Sequence, residues 1–143
     1  MERILISACL VGDKCKYNGQ SNYTPLVKEL LEKYELIPFC PEVEGGLPIP
    51  RHCSERREDK VFDDRNKDVT KYFHLGAEKA YNICMYLGIK IAILKDKSPS
   101  CGSKTIYDGT FTHKEIEGQG YTAQYLSSRG ITVLSEDDIS SLL

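Results

Sequence analysis

Ile89-Lys90-Ile91-Ala92-Ile93-Leu94-Lys95 runs directly into Asp96-Lys97-Ser98-Pro99-Ser100-Cys101-Gly102. A β-branched apolar run stops at a loop of Ser, Pro and Gly that presents one cysteine. The pattern reads as a buried strand over 89–95 followed by its carboxyl-end turn. In open α/β sheets that edge is where ligands bind. Two other candidate strands, 3–9 and 35–40, also end on a cysteine, Cys9 and Cys40. The functional reading grows from that coincidence.

Upstream of this stretch, Val69, Tyr72, Phe73, Gly76, Ala80, Ile83, Cys84 and Leu87 form one apolar stripe at helical spacing. Asp68 can cap that helix and Gly88 ends it. Downstream, Asp108-Gly109 lies between Thr105-Ile106-Tyr107 and Thr110-Phe111-Thr112, the pattern of a two-residue hairpin turn. Residues 121–129 read as a short helix stopped by Gly130, 131–134 as a fourth strand and 137–143 as a last helix. Toward the amino terminus, Thr24-Pro25 resembles a cap and first helical position for an amphipathic helix over 25–34. Pro38 is an anomaly if 35–40 is a central strand. Residues 41–67 read as a long polar segment, a lid or binding loop. Within it, Glu55-Arg56-Arg57-Glu58-Asp59-Lys60 reads as a solvated face of mixed charge.

Strands alternating with helices predict an α/β fold: one domain over 1–143, a three-layer sandwich around a mainly parallel, Rossmann-like sheet, with a small β-hairpin. In such a sheet the parallel strands end on one edge. Cys9, Cys40 and Cys101, far apart in sequence, would meet there.

The rest of the chain narrows the function. It has 143 residues, enough for a sizeable core, with 41% hydrophobic and 28% charged residues. The net charge of −2 gives no support for a broad phosphate-binding surface. The apolar start is too short for a secretory signal, and no run approaches a membrane span. The expected compartment is the cytoplasm. Six cysteines in a reducing compartment point to metal binding or catalysis rather than disulfides.

Three thiolates at one sheet edge form a soft, anionic site. Zinc would need a fourth ligand or a water, and the close-paired Cys-x-x-Cys spacing is absent. His52, His74 and His113 are the histidines available. A cubane iron–sulfur cluster on three cysteines is the other solution, and it leaves one iron open to substrate. Buried free cysteines also behave as small hydrophobes, which suits Cys84 on its helix stripe. Cys15 and Cys53 lie in polar segments and could be spare ligands or surface thiols. Glu42, two residues past Cys40, hangs over the same site as a candidate general base, with Glu44 as its competitor. Ser98 can hydrogen-bond at the mouth, though Ser-Pro-Ser also makes a good turn. Gly45-Gly46 and Gly102 can let backbone approach a cluster or simply turn the chain. Arg51 could meet an anionic group or anchor its loop.

Ser7-Ala8-Cys9-Leu10-Val11-Gly12 with Cys15-Lys16-Tyr17-Asn18-Gly19 resembles the opening of the TudS-type thiouracil desulfidase family. The stretch from Cys40 through Glu42, Gly45-Gly46-Leu47-Pro48 and Arg51 is similar to its second signature. Ser98-Pro99-Ser100-Cys101-Gly102 with Tyr107-Asp108-Gly109-Thr110-Phe111 is similar to its third, and Gly118-Gln119-Gly120-Tyr121-Thr122-Ala123 to its last. The resemblance spans the chain in order. It implies a 4Fe-4S cluster held by three cysteines, Cys9, Cys40 and Cys101, with one open iron. It implies non-redox removal of sulfur from 2- or 4-thiouracil, giving uracil and hydrosulfide. The family's catalytic glutamate and serine fall on Glu42 and Ser98. The implied partner is a small thiolated pyrimidine; relatives that act on thiouridine in RNA carry an additional fused domain. One departure is His52-Cys53-Ser54-Glu55, where the family pattern has a proline near Cys53. The rival readings are an iron–sulfur redox or sulfur-trafficking protein and a zinc-binding structural module.

Overall fold

A computed structural model describes residues 1–143. Its centre is a four-stranded parallel sheet of β1 (Glu2–Ser7), β2 (Tyr34–Phe39), β5 (Ile91–Ile93) and β8 (Thr132–Leu134), in the spatial order β2-β1-β5-β8. Between them in sequence lie α1 (Val27–Leu30), α2 (Pro41–Glu44), β3 (Ser54–Arg57), β4 (Lys60–Asp63), α3 (Thr70–Leu87), β6 (Thr105–Tyr107), β7 (Glu115–Glu117) and α4 (Tyr121–Ser127). A 3-10 helix, Glu136–Leu142, ends the chain.

Alternation along the strands sorts the core into the expected three layers. Leu5, Ala92 and Leu94 face Ala80, Cys84 and Leu126 of α3 and α4. Ile4, Ile6 and Ile93 face the opposite way, onto Val27 and Leu30 of α1 and Ile139 of the terminal helix. The sheet therefore reads as near-continuous apolar runs, as buried parallel strands do. Gly88 closes α3 in the left-handed conformation, φ +68°. No helix is long and apolar enough to cross a membrane.

Several expectations change. Pro38 is no anomaly, because β2 is an edge strand with a neighbour only on the β1 side. The helix expected over 25–34 is α-helical only at Val27–Leu30, and the flanking turns bond i to i−3. Thr24 donates its hydroxyl to the Asn22 carbonyl rather than capping. Strand 89–95 shortens to Ile91–Ile93, and strand 3–9 ends at Ser7, where a 3-10 turn (Ala8–Val11) carries Cys9 onward.

The largest correction concerns 41–67. It is not one loop: α2 opens it and the antiparallel pair β3–β4 fills its second half. The expected solvated face there is partly interior. Glu55 is buried and accepts hydrogen bonds from the Gly109 and Phe111 amides at 3.0 and 3.1 Å. Arg57 Nε donates to the Gly109 carbonyl at 2.7 Å. This clamp explains a second correction. Thr105–Tyr107 pairs with Glu115–Glu117, not with 110–112. The Asp108-Gly109 step belongs to a longer loop, 108–114, pinned to β3 instead of forming a two-residue turn.

Candidate functional site

The carboxyl ends of β1, β2 and β5 open on one cavity of about 370 Å³. Its wall includes Cys9, Cys40 and Cys101, each delivered by the chain leaving one of those strands. Ser7 Oγ accepts from the Lys95 amide at 2.9 Å and ties the end of β1 to the loop after β5.

A fourth thiol belongs to this wall. Cys15, expected in a polar loop, is buried and lines this cavity with Cys9 and Cys40, its carbonyl 3.9 Å from the Cys40 thiol. The Cys9 thiol is lowered to about 7 by the hydrogen bond from Cys15, helped by Asn22 Nδ2 at 3.4 Å and the Lys95 charge. Cys15 likewise holds the Cys40 thiol below its ordinary value and is itself pushed up by the two contacts. Burial pushes Cys101 up to about 12. Thiolate is the ligating form, so the lowered Cys9 and Cys40 thiols favour a soft metal, while the burial of Cys101 opposes its ionisation. No three His, Cys, Asp or Glu side chains sit close enough together to hold a single metal ion. A cubane spreads its cysteine ligands over separate iron corners, so this thiol-rich wall fits a cluster better than a mononuclear centre. Cys84 is core, 1% exposed, its thiol raised to about 11 by burial. Cys53 lines the outer cavity.

Glu42 stands in the first turn of α2. Its Oε1 accepts from Arg51 Nε at 3.1 Å, and its Oε2 accepts from Ser100 Oγ at 2.8 Å. Arg51 also donates to the Cys15 carbonyl at 2.9 Å and the Pro48 carbonyl at 3.3 Å, so it both meets the anion and anchors the loop. Glu44 is not part of the cavity wall. Ser98 Oγ lies 3.0 Å from Ser100 Oγ and accepts from the Ser100 and Cys101 amides at 3.2 and 3.0 Å. Ser100 Oγ is also 3.6 Å from Cys101 Sγ.

The serine loop is held from below. The Tyr121 amide donates to the Pro99 carbonyl, and the Thr122 and Ala123 amides donate to the Ser100 carbonyl, so the orphan donors of α4 cap this loop. A Cβ on Gly120 would meet the Ser100 backbone at 2.6 Å, and one on Gly102 the Ser98 carbonyl at 2.8 Å. Gly45 lies against the Tyr72 carbonyl of α3. Gly45 and Gly102 therefore serve chain crossings.

Of the histidines, His52 pairs with Asp64 and His74 with Glu78, both outside the cavity, while His113 lines its mouth beside Tyr107. Sequence reasoning missed Ser100, the placement of Cys15 and the engagement of Arg51 with Glu42. Ser100 sat inside a turn signal strong enough to explain it away. Cys15, six residues past Cys9, was the legible hint.

Residues 4–138 match the family described as 2-thiouracil desulfurase. An uncharacterised protein of Bacillus subtilis (strain 168), YbbK, is 36% identical over 150 aligned positions, covering 98% of this chain and 99% of its own length. Among solved structures, the [4Fe-4S]-dependent thiouracil desulfidase TudS is similar with a TM-score of 0.94 and 42% identity, over 99% of this chain and 95% of that one.

Proposed function

The chain belongs to the 2-thiouracil desulfurase family, and on that premise we propose that it removes sulfur from thiolated uracil as hydrosulfide, without net redox change. Cys9, Cys40 and Cys101 would hold a 4Fe-4S cluster, each from the end of a different parallel strand. When bound, that cluster supplies an open, thiophilic iron that polarises the thione. The observation that carries the reading is the line of oxygen atoms Glu42–Ser100–Ser98, set against Cys101 in the same cavity as the thiols.

Water adds to the thione carbon as the carbon–sulfur bond breaks. Glu42, held by Arg51 at 3.1 Å, takes the water's first proton; uracil keeps the oxygen and sulfur leaves as hydrosulfide with the second. Tyr17, Tyr107 and His113 at the mouth offer flat surfaces for a pyrimidine ring.

Anaerobic purification, iron and sulfide analysis, and turnover of 2-thiouracil and 4-thiouracil test this. About four irons per chain with hydrosulfide release support it. Zinc, or no metal after anaerobic reconstitution, overturns it. Glu42→Gln keeps the cluster's absorbance and loses turnover, and Cys9→Ser loses the cluster.

Cys15 favours one second reading. A fourth cysteine, buried in the same cavity wall as Cys9 and Cys40, could complete the ligand set of a redox cluster and leave no iron open. Cys15→Ser separates the two: a desulfidase with three ligands keeps its four irons and its turnover.

A further inference from the structure

The loop that follows the 3-10 turn after β1 returns to Cys9 and holds it at two atoms. The Asn22 backbone amide donates to the Cys9 carbonyl at 3.0 Å, and Asn22 Nδ2 lies 3.4 Å from Cys9 Sγ. The loop is pinned on both sides of that contact. Thr24 donates its amide to the Leu10 carbonyl at 3.0 Å and its hydroxyl to the Asn22 carbonyl at 3.1 Å. Earlier in the loop, the Arg51 amide donates to the Tyr17 carbonyl at 2.8 Å, and Arg51 Nη2 to the Cys15 carbonyl at 2.9 Å. Asn22 is half-buried, and its Nδ2 has no acceptor other than Cys9. A cysteine that ligates iron carries no proton, so its sulfur can only accept. The side-chain amide must therefore present its NH2 group to Cys9, and not its oxygen. Cys101 is served less well. The Ser100 hydroxyl stands 3.6 Å from its sulfur but has Glu42 Oε2 at 2.8 Å as the better acceptor.

We propose that Asn22 is a positioning residue of the cluster site: its side-chain amide donates to the Cys9 thiolate, fixing that ligand and raising the reduction potential of the cluster it holds. A hydrogen bond to a ligating sulfur draws electron density away from the iron and favours the more negative, reduced state. The iron corners become poorer in electrons, which suits an open iron that must polarise a thione rather than give up an electron. The inference rests on the proposed cluster at Cys9, Cys40 and Cys101, and adds to it a residue that acts through Cys9.

Asn22→Ala, Asn22→Asp and Asn18→Ala test it in anaerobically reconstituted protein. The readouts are iron content and the midpoint potential, the latter from a dithionite reduction followed by electron paramagnetic resonance. Both Asn22 variants keep the backbone bond to the Cys9 carbonyl. Asn22→Ala is expected to shift the potential to a more negative value. Asn22→Asp, equal in size but offering only acceptor oxygens, shifts it further. Loss of an outer partner of a metal ligand lowers metal affinity about 10–100-fold, so in competition with a chelator Asn22→Ala holds its iron more weakly by that factor. Asn18 lies exposed in the same loop, and its side chain bonds only the Gln20 amide, at 3.0 Å. Asn18→Ala leaves the potential at the wild-type value. An unshifted potential in both Asn22 variants overturns the inference. An equal shift in Asn18→Ala overturns it too, since the effect would then come from the packing of the loop and not from the bond to sulfur. Wild-type protein that binds no cluster removes the cluster reading and this inference with it, an outcome visible before any variant is compared.

Discussion

Arg51 and Glu42 form the most enclosed ion pair of the molecule, with side chains 6% and 12% exposed. Removing one member of such a pair leaves a charge without compensation, at a cost of about 3–5 kcal/mol. Arg51→Ala is therefore expected to lose about that much in urea denaturation of the cluster-free protein, more than any exposed arginine would. Cys84 is the opposite case. It is buried among Leu5, Ala80 and Leu126 with no polar partner, so Cys84→Ser costs about 1–3 kcal/mol by burying an unpaired hydroxyl. Iron content should not change, and a drop would bring Cys84 into the site. The two residues differ in legibility. Cys84 announced its place by helical spacing. Arg51 could be given an anion but not a partner, because its contact with Glu42 depends on how α2 and the following loop fold back.

At the scale of elements, the site is built by close crossings. A Cβ on Gly76 of α3 would stand 2.0 Å from the Pro41 carbonyl of α2, and a Cβ on Gly45 2.0 Å from the Tyr72 carbonyl of α3. The two helices touch backbone to backbone one residue from Glu42. Gly76→Ala overpacks this contact, so a loss of about 1–3 kcal/mol is expected. A drop in kcat should accompany the lower Tm, because α2 is displaced with Glu42 on it. A full kcat at reduced Tm would show that α2 shifts without carrying the carboxylate away. The hairpin β3–β4 supports the other wall. Glu55→Ala strands the Gly109 and Phe111 amides. Amide exchange over 108–114 should then quicken while the central sheet stays protected, with about 1–3 kcal/mol lost per unmade partner. Neither wall was legible in the sequence. A run of Glu, Arg and Asp carries no periodicity, and a carboxylate bonding amides 54 and 56 residues away leaves no local trace.

Across the whole molecule, Asp96 ties three regions together at the edge of the cavity. Its Oδ1 accepts from the Lys97, Lys104 and Thr105 amides, and its own amide donates to Glu136 of the terminal helix. Burial alone would raise this carboxyl, but the three amides outweigh it and hold its pKa below the ordinary value. A carboxyl depressed in the folded state stabilises fully above the unfolded pKa of about 4 and loses that contribution as pH falls through the folded value. Asp96→Ala should thus cost about 1–3 kcal/mol at pH 7 by denaturant titration, and the difference from wild type should shrink in acid. A difference that persisted unchanged at low pH would exclude this origin.

By itself, the sequence determined the layered parallel sheet and the meeting of Cys9, Cys40 and Cys101. Both follow from local information: apolar runs of strand length, helical spacing between them, and the rule that parallel strands end on one edge. Glu42 and Ser98 were legible because each sits within three residues of one of those cysteines. Only the tertiary structure decided that Cys15 joins the thiols, that Arg51 closes on Glu42 and that Ser100 stands between Glu42 and Ser98. Those contacts join loops whose paths are set by glycine crossings and by long-range bonds to α3, α4 and β3. No periodic pattern encodes a loop's path, so its contacts become readable only when the elements on either side are in place.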